Sequence, residues 1–175
     1  LTLEGDLFVK PANMGSSIGI TKIHDRTNLV DALYLAAEYD EWIVVEEAII
    51  GREIEIAILG NEDPIASVPG EIIPGSDFYD YNDKYSDGAT LEIPAKLAVE
   101  QTKELQELAL NVFRLLRCKG LARIDFFLEN QTNKWLLNEV NTMPGFTPIS
   151  MYPKLWAQSG ISNIELVERL IQSAS

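Results

Sequence analysis

The chain has 175 residues, enough for one large domain or two small subdomains with a core of their own. It is 46% hydrophobic and 23% charged, ordinary for a soluble globular protein, and its net charge of −13 argues against nucleic acid or an anionic membrane as partner. No apolar run approaches the ~20 residues of a membrane-spanning helix.

The chain opens without methionine at "LTLEGDLFVKP" and reads as a fragment of a longer protein whose start is missing. "DLFVKP" is a short strand stopped by Pro11, and "ANMGSSIGITKI" is a Gly/Ser loop running into an alternating strand. "DRTNLVDALYLAAEY" has helical spacing, with Leu29, Ala32, Leu33 and Ala36 on one side and Thr27 or Asn28 as N-cap. "EWIVVEEAI" is a strand, and "GREIEIAILGNEDPIASVPGEIIP" alternates as antiparallel strands around Asn61. "GSDFYDYNDKYSDGATLEIP" is polar and aromatic and reads as a long surface loop, disordered without ligand across roughly residues 76–90. "AKLAVEQTKELQELALNVFRLLRC" is the longest helix, its stripe running through Leu105, Leu108, Ala109, Val112, Leu115 and Leu116. "GLARIDFFL" and "KWLLNEVN" are strands joined by "ENQTN", and "NIELVERLIQSA" closes the chain as a helix. The class is α+β.

The hairpin carries the first candidate chemistry. Side chains alternate along a strand, so Arg123, Asp125 and Phe127 share one face, as do Leu137, Glu139 and Asn141. Pairing Glu129 with Trp135 places Asp125 opposite Glu139 and Arg123 opposite Asn141. Two carboxylates that close repel unless a cation or proton lies between them. With a carboxamide beside them the donors are all hard oxygens, which suit Mg²⁺ or Mn²⁺ rather than zinc. Mg²⁺ completes its shell with water and phosphate, so the set suggests a metal nucleotide. The alternative is a half-buried hairpin with an Arg–Glu ion pair on its solvent face.

"FVKPANMGSSIG" places Lys10 at a strand end, followed by Gly15, Ser16, Ser17 and Gly19. Glycine amides, serine hydroxyls and a lysine suit a phosphate. No Gly-Lys-Ser/Thr follows, so this is not a Walker A loop, and an ordinary turn remains the alternative. Glu46 and Glu53 at strand ends suit adenine or ribose, or are solvated charge. Lys84 is either a cation closing over a phosphate or an ordinary surface lysine. Ser16 and Ser17 have no evident His/Asp partners, which argues against a serine hydrolase. Lone Cys118 permits no internal disulfide, fits a reducing compartment, and reads as a small buried residue. His24 is assigned no role.

In order, "FVKPANMGSSIGITKI", "VVEEAIIGREIEIAILGN", "FYDYNDKYSDGAT", "CKGLARIDFFL" and "LLNEVNTMPGFTPISMYPKLW" resemble the D-alanine–D-alanine ligases of the ATP-grasp superfamily over nearly the whole chain. The resemblance implies an ATP-grasp fold: a mainly antiparallel sheet with flanking helices, plus part of a small central β-rich subdomain. Residues 1–50 would be the partial central subdomain and 51–175 the C-terminal catalytic domain, with the family's N-terminal domain absent. It implies ligation of two D-alanines through an acylphosphate, for peptidoglycan precursors, by a cytoplasmic homodimer. The cofactors would be ATP and two Mg²⁺, with Mn²⁺ possible as a substitute. Another ATP-grasp carboxylate–amine ligase and a noncatalytic nucleotide-binding module are the alternatives.

Residue by residue, Asp125, Glu139 and Asn141 match the family's metal ligands. Lys10 and Lys84 match phosphate lysines, and Ser17 a phosphate-loop amide. Glu46, the backbone at Glu47 and Ile49, and Glu53 match the adenine and ribose contacts, with Phe78 and Phe127 sandwiching adenine. Arg123 and the Gly145 N–H match the oxyanion site. Ser150 and Met151 match the residues that hold the second substrate's carboxylate. Tyr85, bonding toward Ser16, matches the dipeptide-forming type.

Overall fold

In the computed structural model, the described residues are 3–15, 17–74 and 90–174. They divide into two compact units: residues 3–50 with Pro74 form the first, Gly51–Ile73 and residues 90–174 the second.

The first unit is a three-stranded antiparallel sheet, with β1 (Leu7–Pro11) between β2 (Thr21–Ile23) and β3 (Ile43–Glu47). Leu7 and Val9 point from β1 into a small core with Ile23, Ala32 and Ala36. Ala32 and Ala36 come from α1 (Leu29–Ala37), and Leu29 and Leu33 pack on the same cluster, as the helical spacing predicts. A 3₁₀ turn, Arg26–Asn28, leads into α1. Asn28 occupies the N-cap position of α1 but makes no side-chain cap bond; Asp25 accepts from the Thr27 N–H at 2.9 Å instead.

The second unit is built on β4 (Gly51–Gly60) and β8 (Gly120–Glu129), antiparallel partners along all ten residues of each. β5 (Ile65–Ala66) also pairs with β4, and the sheet continues as β7 (Thr90–Glu92), β6 (Gly70–Ile73), β4, β8 and β9 (Trp135–Asn141). β7 lies in the stretch expected to be loop, and its pairing with β6 explains why: Leu91 lies opposite Ile72. Gly51 opens β4 where the neighbouring strand is too close for any side chain, since a Cβ there would meet the Leu128 carbonyl oxygen at 2.5 Å.

Helices cover both faces of this sheet. α2 (Val99–Leu115) buries Leu105, Ala109 and Phe113 against Ile54, Ile56, Ile58, Ile124 and Phe126. The predicted stripe is right at Leu105 and Ala109, and Leu108 and Val112 pack at its margin. It is wrong at its end: Leu115 is 80% exposed and Leu116 also faces solvent. Phe113, four residues after Ala109, takes the core position because the helix rotates the stripe by 3.6 residues per turn.

On the opposite face lies α3 (Met151–Gln158), followed by α4 (Asn163–Ser173). Gly70 is opposite Glu55, and a Cβ on it would meet Leu155 Cδ2 at 2.8 Å and Met151 Sδ at 3.0 Å. The sequence reading gave α3 no helical assignment. Its signals were present: Pro153 in the first turn, where no N–H is needed, and Tyr152, Leu155 and Trp156 at helical spacing. The Tyr152 hydroxyl donates to the Ile58 carbonyl at 2.9 Å, and burial pushes its pKa above the usual phenol value.

Phe113→Ala is expected to lower stability by about 3–5 kcal/mol, whereas Leu115→Ala should stay within about 0.5 kcal/mol of the parent chain. Urea unfolding of the two variants checks the assignment of the helix face.

Candidate active site

The strand pattern creates the site. Ala122, Ile124, Phe126 and Leu128 are the buried apolar set of β8, so Arg123, Asp125 and Phe127 face the other way. Directly paired residues point to the same face. β4 therefore brings Glu53 to Phe127, Glu55 to Asp125 and Ala57 to Arg123. β9, on the other side, brings Glu139 to Asp125 and Asn141 to Arg123. Glu55, Asp125 and Glu139 stand in a row across three neighbouring strands.

The hairpin register agrees with the sequence reading at the chemistry and departs from it at the turn. Leu128, not Glu129, lies opposite Trp135, and a bulge interrupts the pairing between Asp125 and Phe126. One extra residue on β9 changes which side chains share a face. Leu137 lies opposite Phe126 instead of continuing the Glu139–Asn141 face. The bulge also lets Trp135 and Val140, five residues apart, both pack on the core cluster. Trp135 meets Phe126 edge-on, with ring centroids 6.4 Å apart.

Arg123 is the cation among the three carboxylates. Its Nε donates to Asp125 Oδ1 at 2.8 Å and its Nη2 to Asp125 Oδ2 at 2.7 Å, a two-pronged fork. Nε is also 3.1 Å from Glu55 Oε2, and Nη2 is 3.7 Å from Glu139 Oε1. The side chains of Arg123, Asp125 and Glu55 are 17%, 2% and 4% exposed, against 54% for Glu139. The cross-strand Arg–Glu ion pair of the alternative reading is present between Arg123 and Glu139, but its arginine is largely buried and bonded to Asp125 rather than lying on an open solvent face. Burial alone would lower the Arg123 pKa; Asp125, then Glu55 and Glu139, outweigh it and hold the guanidinium firmly charged.

Asn141 Oδ1 accepts from the Met143 N–H at 3.3 Å, which turns the chain after β9. Among the described residues, no group of three or more His, Cys, Asp or Glu is arranged around a metal position. The guanidinium occupies the centre of the carboxylate row. The side chains of Asp125, Glu139 and Asn141, two carboxylates and a carboxamide, offer hard oxygens of the kind that fit Mg²⁺ or Mn²⁺. Glu55 was not singled out from the sequence. Its alternation with Glu53 in "REIEI" put it on the right face, but nothing local said that β4 would lie beside β8.

After β9, Gly145 and Ser150 approach closely: a Cβ on Gly145 would meet Ser150 Oγ at 2.7 Å. Ser150 is the N-cap of α3 without capping it; its hydroxyl accepts from the Thr147 N–H at 3.0 Å. The Met151 side chain is buried, so only its backbone is available at the helix start.

In the first unit Lys10 Nζ lies 2.5 Å from Glu46 Oε1. The register explains it, since Lys10 is opposite Val44 and Glu46 is two residues further along the same face. Glu47 Oε1 accepts from the Glu4 N–H at 2.7 Å, and the Ala48 N–H just before Ile49 bonds the Asp6 carbonyl at 2.9 Å. Ser17 has φ of 58° and Gly19 of 72°, a left-handed pair that a non-glycine residue adopts only under local constraint. Ser16, Phe78, Lys84 and Tyr85, and the expected disorder up to residue 89, lie outside the described residues. His24 is exposed and bonded to Asp6, and burial pushes the Cys118 thiol pKa up, which disfavours a nucleophile.

The family described as D-ala D-ala ligase C-terminus matches residues 2–172. The chain belongs to this family. A D-alanine–D-alanine ligase of Acetivibrio thermocellus is 53% identical over 96% of this chain and 45% of its own length. A solved D-alanine-D-alanine ligase of Coxiella burnetii superposes with a TM-score of 0.83 at 40% identity, covering 97% of this chain and 44% of that one. The VanG D-Ala:D-Ser ligase of Enterococcus faecalis gives 0.87 at 38% identity, covering 97% of this chain and 49% of that one. The chain spans about half the length of the curated relatives it matches. The D-ala D-ala ligase likeness accounts for the α+β architecture as that of the ATP-grasp fold.

Arg123→Ala is expected to destabilise the chain by about 3–5 kcal/mol, because it leaves paired buried carboxylates without their cation. Chemical denaturation measures this directly, and a loss under about 1 kcal/mol would mean that the row is solvated.

Proposed function

We propose that this chain is the ATP- and metal-binding part of a ligase that joins two D-alanines into D-alanyl-D-alanine. The observation that carries the reading is the Arg123, Asp125, Glu139 and Asn141 face, held by β8 and β9 in a chain of this ligase family. Residues 1–50 then belong to the central subdomain and 51–175 to the C-terminal catalytic domain.

ATP phosphorylates the carboxylate of the first D-alanine, which turns a poor electrophile into an acylphosphate. The amine of the second D-alanine attacks the acyl carbon, and phosphate leaves. Positioning and electrostatics do most of this work. In the first unit, Lys10 and Ser17 bind phosphate oxygens, and Glu46 exchanges its Lys10 partner for the nucleotide. Glu47 and Ile49 offer backbone groups to adenine. In the second unit, Glu53 takes the ribose and Phe127, opposite it, packs on adenine. Phe78 completes that stack, while Lys84, Ser16 and Tyr85 serve the phosphates and the second substrate. Arg123 and the Gly145 N–H stabilise the oxyanion. The α3 start at Ser150 and Met151 receives a carboxylate, as positive helix ends do.

Asp125, Glu139 and Asn141 would hold Mg²⁺ or Mn²⁺, two ions in all, which would neutralise the phosphate oxygens. A homodimer in the cytoplasm completes the proposal. The net charge of −13 supports small-molecule partners rather than nucleic acid or membrane, and no described helix is long and apolar enough to cross a bilayer.

A D-Ala:D-Ser ligase superposes slightly better than the D-alanine-D-alanine ligase of Coxiella burnetii, which makes D-serine the competing second substrate. The 53–57% identity to named D-alanine–D-alanine ligases favours the dipeptide of alanine.

In the full-length parent protein, phosphate release from Mg-ATP is expected to require D-alanine and to gain nothing from added D-serine or D-lactate. Glu139→Ala should reduce it by about 10²-fold or more. The 175-residue chain alone should form no ADP in a coupled assay with D-alanine. Release that ignores D-alanine, or a mixed product seen by mass spectrometry, would overturn the substrate assignment.

A further inference from the structure

Glu55 has no part in the ligand set proposed above, yet it is buried to 3% exposure directly opposite Asp125. Two carboxylates in that relation repel unless a cation joins them. Arg123 supplies that cation through one atom: its Nε is 2.8 Å from Asp125 Oδ1 and 3.1 Å from Glu55 Oε2. Asp125 holds both prongs of the guanidinium, so it is the dominant partner in this state.

A divalent cation on Asp125 and Glu139 changes the balance. It draws the lone pairs of Asp125 and repels the guanidinium. Arg123 is then a buried cation losing its main partner, and Glu139, 3.7 Å away, is claimed by the same metal. Glu55 lies on β4, on the far side of β8 from β9, and is the carboxylate of the row most removed from Glu139 and Asn141. We infer that Glu55 is a positioning residue that keeps Arg123 in place when a divalent cation takes over Asp125. The carboxylate row thus works as a relay of partners: Asp125 holds the guanidinium before the metal arrives and Glu55 holds it afterwards. Arg123 thereby stays ordered for the oxyanion it is proposed to stabilise. This rests on the metal reading of Asp125 and Glu139.

The test follows the Arg123 Nε–H by ¹⁵N NMR in the 175-residue chain, with and without saturating Mg²⁺ and ADP. In the unsubstituted chain Mg²⁺–ADP should shift the resonance and leave it protected from solvent exchange. Glu55→Gln should show protection without Mg²⁺ and lose it with Mg²⁺–ADP. Glu55→Asp, which keeps the charge but withdraws it by one methylene, should show the same metal-dependent loss to a smaller degree; it carries the test if Glu55→Gln fails to fold. In the full-length parent, Glu55→Gln should lower kcat about 10–100-fold, the range for groups that orient metal-site side chains, with little change in the KM for ATP. Protection that survives Mg²⁺–ADP in both variants overturns the inference, and so does protection already lost without the metal, which is what a purely structural ion pair would give. An unsubstituted chain whose Arg123 resonance ignores Mg²⁺–ADP would instead bring down the metal reading itself.

Discussion

A guanidinium held inside a row of carboxylates is the constraint on which the second unit depends. Glu55 and Asp125 lie opposite one another in neighbouring central strands, both removed from water. Such a pairing is tolerated only because Arg123 projects from the same face two residues before Asp125. The register that brings these groups together is also the register of the core. A slip by one residue between β4 and β8 would exchange the apolar layer of Ile54, Ile56 and Ile58 for the charged one. Charge pairing on one face and apolar packing on the other therefore enforce the same alignment.

The two faces also divide the work. α2 seals the apolar face with Leu105, Ala109 and Phe113, which makes the sheet a rigid base. α3 lies toward the other face, where Gly70 leaves room for Leu155 and Met151. Charged side chains mounted on a packed sheet lose less freedom when they bind than the same groups on loops. The first unit repeats the theme at smaller scale. Lys10 and Glu46 face each other across two strands over a core of Leu7, Val9 and Ile23. In both units a cationic side chain rests against an acid, which keeps it ordered and its charge compensated.

The opposition of Asp125 to Glu139 and of Arg123 to Asn141 was legible from alternation alone, because both strands are short, close in sequence and joined by a recognisable turn. The bulge at Asn138 was not legible. It balances Trp135 and Val140 against the core, and that choice depends on side chains from other elements. Phe113 displaced Leu115 and Leu116 for the same reason: "FRLL" offers three apolar residues, and the sheet beneath α2 decides which one is buried. α3 was overlooked because "SMYPKLWAQ" is short and contains a proline, although Pro153 sits in the first turn, where it is harmless. Ser17 in a left-handed conformation could not be read from a Gly/Ser run, where glycine is the expected bearer of positive φ.

The sequence by itself determined which residue types alternate, where most strands and helices lie, and, through its ordered motifs, the family. These are local properties, set by side-chain periodicity, turn chemistry and the order of short segments. Only the tertiary structure decided that β4 lies beside β8, and with it that Glu55 joins Asp125 around Arg123. Residues 55 and 125 are seventy positions apart, and nothing in the local pattern of either strand names its neighbour. Strand pairing is a choice among several compatible edges, made by the burial of the whole apolar layer at once, so the charged face it creates is a property of the fold rather than of any segment.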